Sequence, residues 1–501
     1  MRTTRLLALT AIVVALVGLT SWWAGAPAAR DDTGVDDVVP SAGTEETLSS
    51  TWYCAAGTAG TPEPPAHQLL LSNPTDAAVT ARLSAFGPYG PVGASAVEVA
   101  ANAVTPVNVN ETFAATGLSV MVESESGAIA VEHRLGTTTV MDSVPCATTS
   151  SNAWFFPSQT TVSGASAQLV LFNPFSADAS IDVSVATEDG VRIPAELGGI
   201  VVRAGTSRVI DLNPYASVRE QISVAVKLRG GRLVAESAQY FDVSDDEGIG
   251  TLRTRGMQLQ VGVPQARTEW TFATGFTGSG VRERVVVYNP SREAAAVVVQ
   301  VTPFGGAEMP PEPFELDVPG GRYAVVDLSA ETRIPAEGFH AIQVESDDTP
   351  IVVGRPIQLN GEATAPSDPA VVGTRPSETL GATIGTGTPT LATRWLVPAV
   401  LTGEGQQPMV FVHNPGTGIA TVTIEALLGA AGRVEVVGGL EVASGDSRWI
   451  PIGSADGPPE LLQARNLGLI VDASAPVVVE RTATFVAEDD LSVGLAVPVA
   501  R

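Results

Sequence analysis

Four times in this chain a short apolar run ends on an Asn-Pro pair: LLLSNP (69–74), LVLFNP (169–174), VVVYNP (285–290) and VFVHNP (409–414). Proline fixes its own φ and has no N–H, so it cannot continue a β-ladder, and an Asn before it can bond nearby backbone as the chain turns. Each phrase therefore reads as a buried strand with a built-in stop. Aligned on Asn73, Asn173, Asn289 and Asn414, the rest of each copy falls into register. A tryptophan opens every copy, with Trp154, Trp270 and Trp395 at one common spacing before their Asn and Trp52 two residues further away. Downstream, alternate positions are apolar (Ala81, Leu83, Ala85; Ile181, Val183, Val185; Val297, Val299, Val301; Val422, Ile424, Ala426), with residues such as Arg82, Asp182, Gln300 and Glu425 between them. A period of two is that of a strand with one face in a core and one in water.

Turns rich in Gly or Asp follow (FGPYGPVG, TEDGVR, PFGGAEMPP, LLGAAGR), and later an apolar strand before a closing hairpin: IAVEHRL, LVAESAQYF, IVVGRPIQL and VVVERTATF. Short strands with regular turn signals predict an all-β chain of four tandem Ig-like β-sandwich domains, at 51–148, 152–267, 268–391 and 393–501. Gly (50), Pro (36) and a 44% hydrophobic content against 16% charged fit that class better than a disordered one. The short joins predict a semi-rigid rod. Residues 30–50, acidic and without a period, predict a flexible linker.

Residues 6–29 carry no charge and follow Arg2 and Arg5. They are long enough to cross a hydrocarbon core as a helix, so the sandwiches are expected to follow an N-terminal export helix and to lie outside the membrane. Trp22-Trp23 suit a retained signal anchor, whereas Ala26-Pro27-Ala28 offers a small-residue cleavage site, and both outcomes stay open. An oxidising compartment lets Cys54 and Cys146 pair, stapling the first sandwich near both ends, with ~4–5 kcal/mol of stabilisation in the chain-entropy model. A formal charge of −26, with Lys227 the single lysine, excludes a nucleic-acid backbone as partner.

These strand ends and turns resemble those of actinobacterial exported or membrane-anchored proteins of unknown function that repeat an Ig-like sandwich. The resemblance implies residence in the cell envelope and brings no catalytic residue with it.

His133 and His413 occupy ordinary strand positions, His67 a Pro-rich turn and His340 a strand start, and no nucleophile elbow, zinc helix or phosphate loop is present. TGFTGSG (274–280) reads as a turn. Glu132, Glu236 and Glu480 are the buried-acid candidates, and their recurrence in one strand position points to a shared structural bond. Asp245-Asp246 and Asp489-Asp490 recur at one offset in the acidic hairpins, so Asp242, Asp245, Asp246, Glu247, Asp489 and Asp490 are weak calcium candidates, with a solvated turn as the simpler account. Phe86 and Tyr89 at a hairpin tip and the unshared Trp449 complete the aromatic candidates. The expectation is a non-enzymatic structural or binding protein of the bacterial envelope, without cofactor, whose partner is cell-wall polysaccharide or another envelope protein. An envelope-polysaccharide hydrolase and a calcium-dependent adhesin are the alternatives.

Overall fold

The computed structural model describes residues 38–243, 253–305, 310–360, 380–402, 406, 408–453, 459–462, 465–485 and 490–500. They are all-β, and residues 6–29, expected to form an export helix, lie outside them. No helix among the described residues is long and apolar enough to cross a membrane.

Each sequence copy contributes two antiparallel sheets. In the first unit one sheet runs Ser50–Cys54, Ser119–Ser124, Val79–Gly87, Gly90–Val99, and the other Ala103–Asn108, Ala66–Asn73, Ala130–Gly136, Met141–Pro145. The second and third units repeat this plan, ending in Thr254–Val261 and Leu380–Thr386, and the fourth ends in Asp490–Leu495. The fourth differs in one respect. Its strand Asn466–Phe485 is continuous and serves both sheets. The Trp that opens each copy lies between the sheets, fully buried, and its indole N–H donates to a backbone carbonyl in three units: Leu233 (3.1 Å), Ile351 (3.0 Å) and Val477 (3.1 Å). Trp52 donates to Ser50 Oγ instead (3.3 Å).

The motif asparagines are wholly buried and act alike. Asn289 Nδ2 donates to the carbonyls of Glu293 (2.7 Å) and Val318 (2.9 Å), and its Oδ1 accepts from Ser291 N (3.0 Å). Asn73, Asn173 and Asn414 make the same three kinds of bond. The strand stop is therefore also a clamp: one amide ties the turn after Pro to a strand of the opposite sheet.

The units do not form a rod. Residues 36–500 make one compact body, in which the four closing strands meet in cyclic order. Met141–Pro145 packs on Thr254–Val261, which packs on Leu380–Thr386, which packs on Asp490–Leu495, which returns to Met141–Pro145. The reason is apolar surface left over after each pair of sheets has formed. Leu396, Leu427, Ile470 and Val497 of the fourth unit complete the core of the first. Phe155, Ala186 and Ala225 of the second join the core of the third. Phe411 and Trp449 of the fourth pack on Phe304 and Phe339 of the third, so Trp449 is a seam residue. Phe86 likewise leaves the hairpin tip to lie 5.3 Å from the ring of Phe172, while Tyr89 stays in water.

The linker expectation also needs correction from residue 38 onward. Val38, Val39 and Ala42 are buried. Ala42 N donates to Pro498 O (3.0 Å), Ala42 O accepts from Ala500 N (2.8 Å), and Gly43 N donates to Gly127 O (2.8 Å). The segment is a strap across the seam where the fourth unit meets the first.

Candidate functional site

The charged side chains with the deepest burial lie on the seams and the axis. Strand register explains their placement. Opposite the third residue before each motif Asn stand Glu132, Glu236, Gly354 and Glu480, and the following position holds His133, Ser237, Arg355 and Arg481. In the ring, the second of these positions in one unit faces the first in the next. His133 Nε2 lies 3.0 Å from Glu236 Oε2, Arg355 Nη1 3.5 Å from Glu480 Oε2, and Arg481 Nη2 2.5 Å from Glu132 Oε1. At the remaining seam, between the second and third units, Ser237 and Gly354 replace base and acid together. A Cβ on Gly354 would sit 2.7 Å from Pro157 Cγ, so glycine is what lets the second unit close in there.

Burial pushes the Glu236 and Glu480 carboxyls above the usual range, and His133 and Arg355 respectively pull against it. Glu480 also accepts from Thr274 N (2.8 Å), inside the segment read as a glycine turn, which is instead the end of strand Glu269–Thr277. At the same seam Glu283 accepts from Phe276 N (3.0 Å) and stands 3.0 Å from His340 Nε2. His67 is not in a turn. It lies buried in strand Ala66–Asn73, edge-on to His133, and burial holds its pKa well below the usual value. His413 Nδ1 is 2.9 Å from Ser447 Oγ, and burial lowers its pKa to about 4.

The axis itself is held by two aspartates. Closing strands are edge strands, and four edges converging away from water bring unpaired N–H groups that must find acceptors. Asp490 supplies them: Oδ2 accepts from Met141 N (2.9 Å) and Met257 N (3.1 Å), and Oδ1 from Ala382 N (3.2 Å) and Leu491 N (2.8 Å). One carboxylate thus binds backbone from all four units. Asp142 beside it accepts from Ser143 N and Leu259 N (both 2.8 Å) and Ser492 Oγ (2.6 Å). Gly256 permits the crossing, since a Cβ there would meet Ala382 N at 2.4 Å. Burial raises both acids, Asp142 to about 7 and Asp490 well above its usual range, against the pull of these donors.

This corrects the placement of one calcium candidate. Asp490 is fully buried and takes backbone N–H groups where a cation would need free oxygens. Asp242 is half in solvent and 3.6 Å from Arg255 on the neighbouring strand. Asp245, Asp246, Glu247 and Asp489 lie outside the described residues. Among the described residues no group of three or more His, Cys, Asp or Glu is placed to hold a metal. Cys54 and Cys146 form a disulfide with Cα atoms 4.7 Å apart. Val38–Pro40 join Val144, Leu259, Ile384 and Val493, one from each unit, in lining a mainly apolar cavity of about 60 Å³.

Fold and site together define a class: an all-β protein of paired sheets closed into a ring, with its buried charges set at the joints. The profile of the family of unknown function DUF5719 matches residues 45–133 and 128–371, and the chain belongs to that family. No curated protein matches the sequence. Among solved structures it is similar to the sensory rhodopsin transducer of Anabaena (26% identity, 18% of this chain and 88% of that one, TM-score 0.16). It is also similar to Thermotoga maritima 1070 (18% identity, 25% and 95%, TM-score 0.19) and to the major pilin of Streptococcus pyogenes (10% identity, 67% and 99%, TM-score 0.13).

Proposed function

We propose that this protein is a non-enzymatic structural or binding protein of the bacterial cell envelope, built of four Ig-like sandwiches and held outside the cytoplasm by residues 6–29. The observation that carries the reading is where the acids lie. Glu132, Glu236, Glu480, Asp142 and Asp490 are all buried and all bonded across unit seams, so the carboxylates best suited to catalysis by burial hold the ring together. Polysaccharide hydrolysis needs a facing pair open to substrate. The Cys54–Cys146 disulfide supports an oxidising compartment.

The partner is cell-wall polysaccharide or another envelope protein. Incubating the full chain with purified peptidoglycan and arabinogalactan tests this: the expected result is co-sedimentation with one polymer, or with neither, and no new reducing ends or soluble fragments. Steady release of fragments, lost on substituting a buried Glu, would replace the proposal with the hydrolase reading.

A further inference from the structure

The axial aspartates raise a question that the envelope role leaves open: how two carboxyls share a dry site in which the cations are engaged elsewhere. Arg481 is the cation that bears on Asp142, and its Nη2 is bonded to Glu132 Oε1 and to Ser143 Oγ (2.8 Å). The other neighbours on the axis are apolar or hydroxyl side chains and backbone: Met257 and Leu259 from the second unit, Ala382 and Thr383 from the third, Leu491 and Ser492 from the fourth. On the adjacent strand Ala130–Gly136, Glu132 faces Arg481, and Arg134 donates to Gln68 and Asn466. Two like charges so close and so poorly solvated do not both ionise at little cost, and the pair takes up a proton as one system.

The donors decide which acid holds it. Each carboxylate oxygen offers two lone-pair positions. Burial raises Asp490 above its usual range as well, but all four of its lone-pair positions are met by N–H groups of fixed strands, which leaves a proton no open position there. On Asp142, Oδ1 is met twice, by Ser143 N and Ser492 Oγ, whereas Oδ2 accepts from Leu259 N alone among the described residues.

The geometry points to a proton-linked clasp: Asp142 carries one proton on Oδ2 beside an ionised Asp490, and losing that proton loosens the seam between the fourth and first units. The bonds at risk are Ser492 Oγ to Asp142 and Met141 N to Asp490, which cross that seam directly. The closed ring is then the acid-favoured state. The sign follows from Asp142, whose pKa rises on folding from 3.8 to about 7. Its contribution to stability is complete below pH 3.8, declines as pH rises, and is gone above about 7.

Two measurements on the full chain test this. With [4-¹³C]aspartate incorporated, carboxyl NMR should show one aspartate titrating near pH 7, assigned by its loss in Asp142→Asn. Urea unfolding of the wild type between pH 4 and 7.5 should contain a component, up to about a thousandfold in the folding constant, that is absent from Asp142→Asn. The variant's absolute stability is not the readout, because an amide nitrogen facing Leu259 N–H lowers it at every pH. If that variant does not fold, amide exchange in the wild type at Met141 and Met257 decides: faster opening at pH 8.5 than at pH 5, after correction for intrinsic rates, is expected. No aspartate titrating above pH 5, with equal opening at both pH values, would overturn the clasp.

Discussion

Each motif asparagine uses both ends of its amide, and the chemistry of that group sets what can replace it. Asn289 Nδ2 satisfies two buried carbonyls while Oδ1 holds Ser291 N. Asn289→Ala removes these three bonds and a fourth from Ser291 Oγ (2.7 Å) and takes from Val318 O its side-chain donor, a loss of about 3 kcal/mol on the usual scale for unsatisfied buried groups. Asn289→Asp is isosteric, yet it turns an oxygen toward two carbonyl oxygens. It should therefore cost more than alanine at pH 7, and the gap should narrow in acid as the carboxyl protonates. Urea denaturation of both variants at pH 7 and pH 4.5 checks the order. An aspartate variant more stable than alanine at pH 7 would mean that the carbonyl bonds contribute little.

At the scale of strands, the period-two pattern, the Asn-Pro stops and the shared positions of Trp and Glu were legible because each depends on residues of one copy. Glu132, Glu236 and Glu480 stand out in the sequence as recurrent buried acids that need a bond. What the sequence did not reveal is that each base in the next position pairs with an acid of a neighbouring unit. His133 reads as an ordinary strand substitution because pairing across a seam leaves no local spacing. The one available signal was the joint absence of Ser237's base and Gly354's acid. The same limit hid Asp490, which looks like a turn residue in DD and is an axial acceptor in the ring. The pairing predicts strong coupling: Glu132→Met leaves Arg481 buried and uncompensated and should destabilise by about 3–5 kcal/mol, while Glu132→Met with Arg481→Met recovers most of that loss. A double-mutant cycle by urea unfolding gives the coupling, and additive effects would show that the pair contributes nothing as a pair.

For the body formed by residues 36–500, closure has a consequence that a rod of independent sandwiches does not share. Units borrow apolar surface and backbone acceptors from their neighbours, and the closing strand of the fourth unit, Asp490–Leu495, brings the carboxylate on which Met141, Met257 and Ala382 depend. Ending the chain at residue 391 would uncover the first unit where Leu396, Leu427, Ile470 and Val497 pack, and would orphan three buried N–H groups in the units that remain. Orphaned groups cost ~1–3 kcal/mol each before the lost apolar contact is counted. A domain's net stability is only ~5–15 kcal/mol, so the remaining units should aggregate or lose fixed tertiary structure rather than persist as three folded domains. The intact chain should unfold in one calorimetric transition, its van't Hoff and calorimetric enthalpies agreeing for the whole body, even though it is far longer than the chains in which two-state behaviour is usual. Scanning calorimetry with the Cys54–Cys146 disulfide intact makes the test. Four separable transitions, or a well-folded monomer ending at residue 391, would show that the ring is a packing of independent domains.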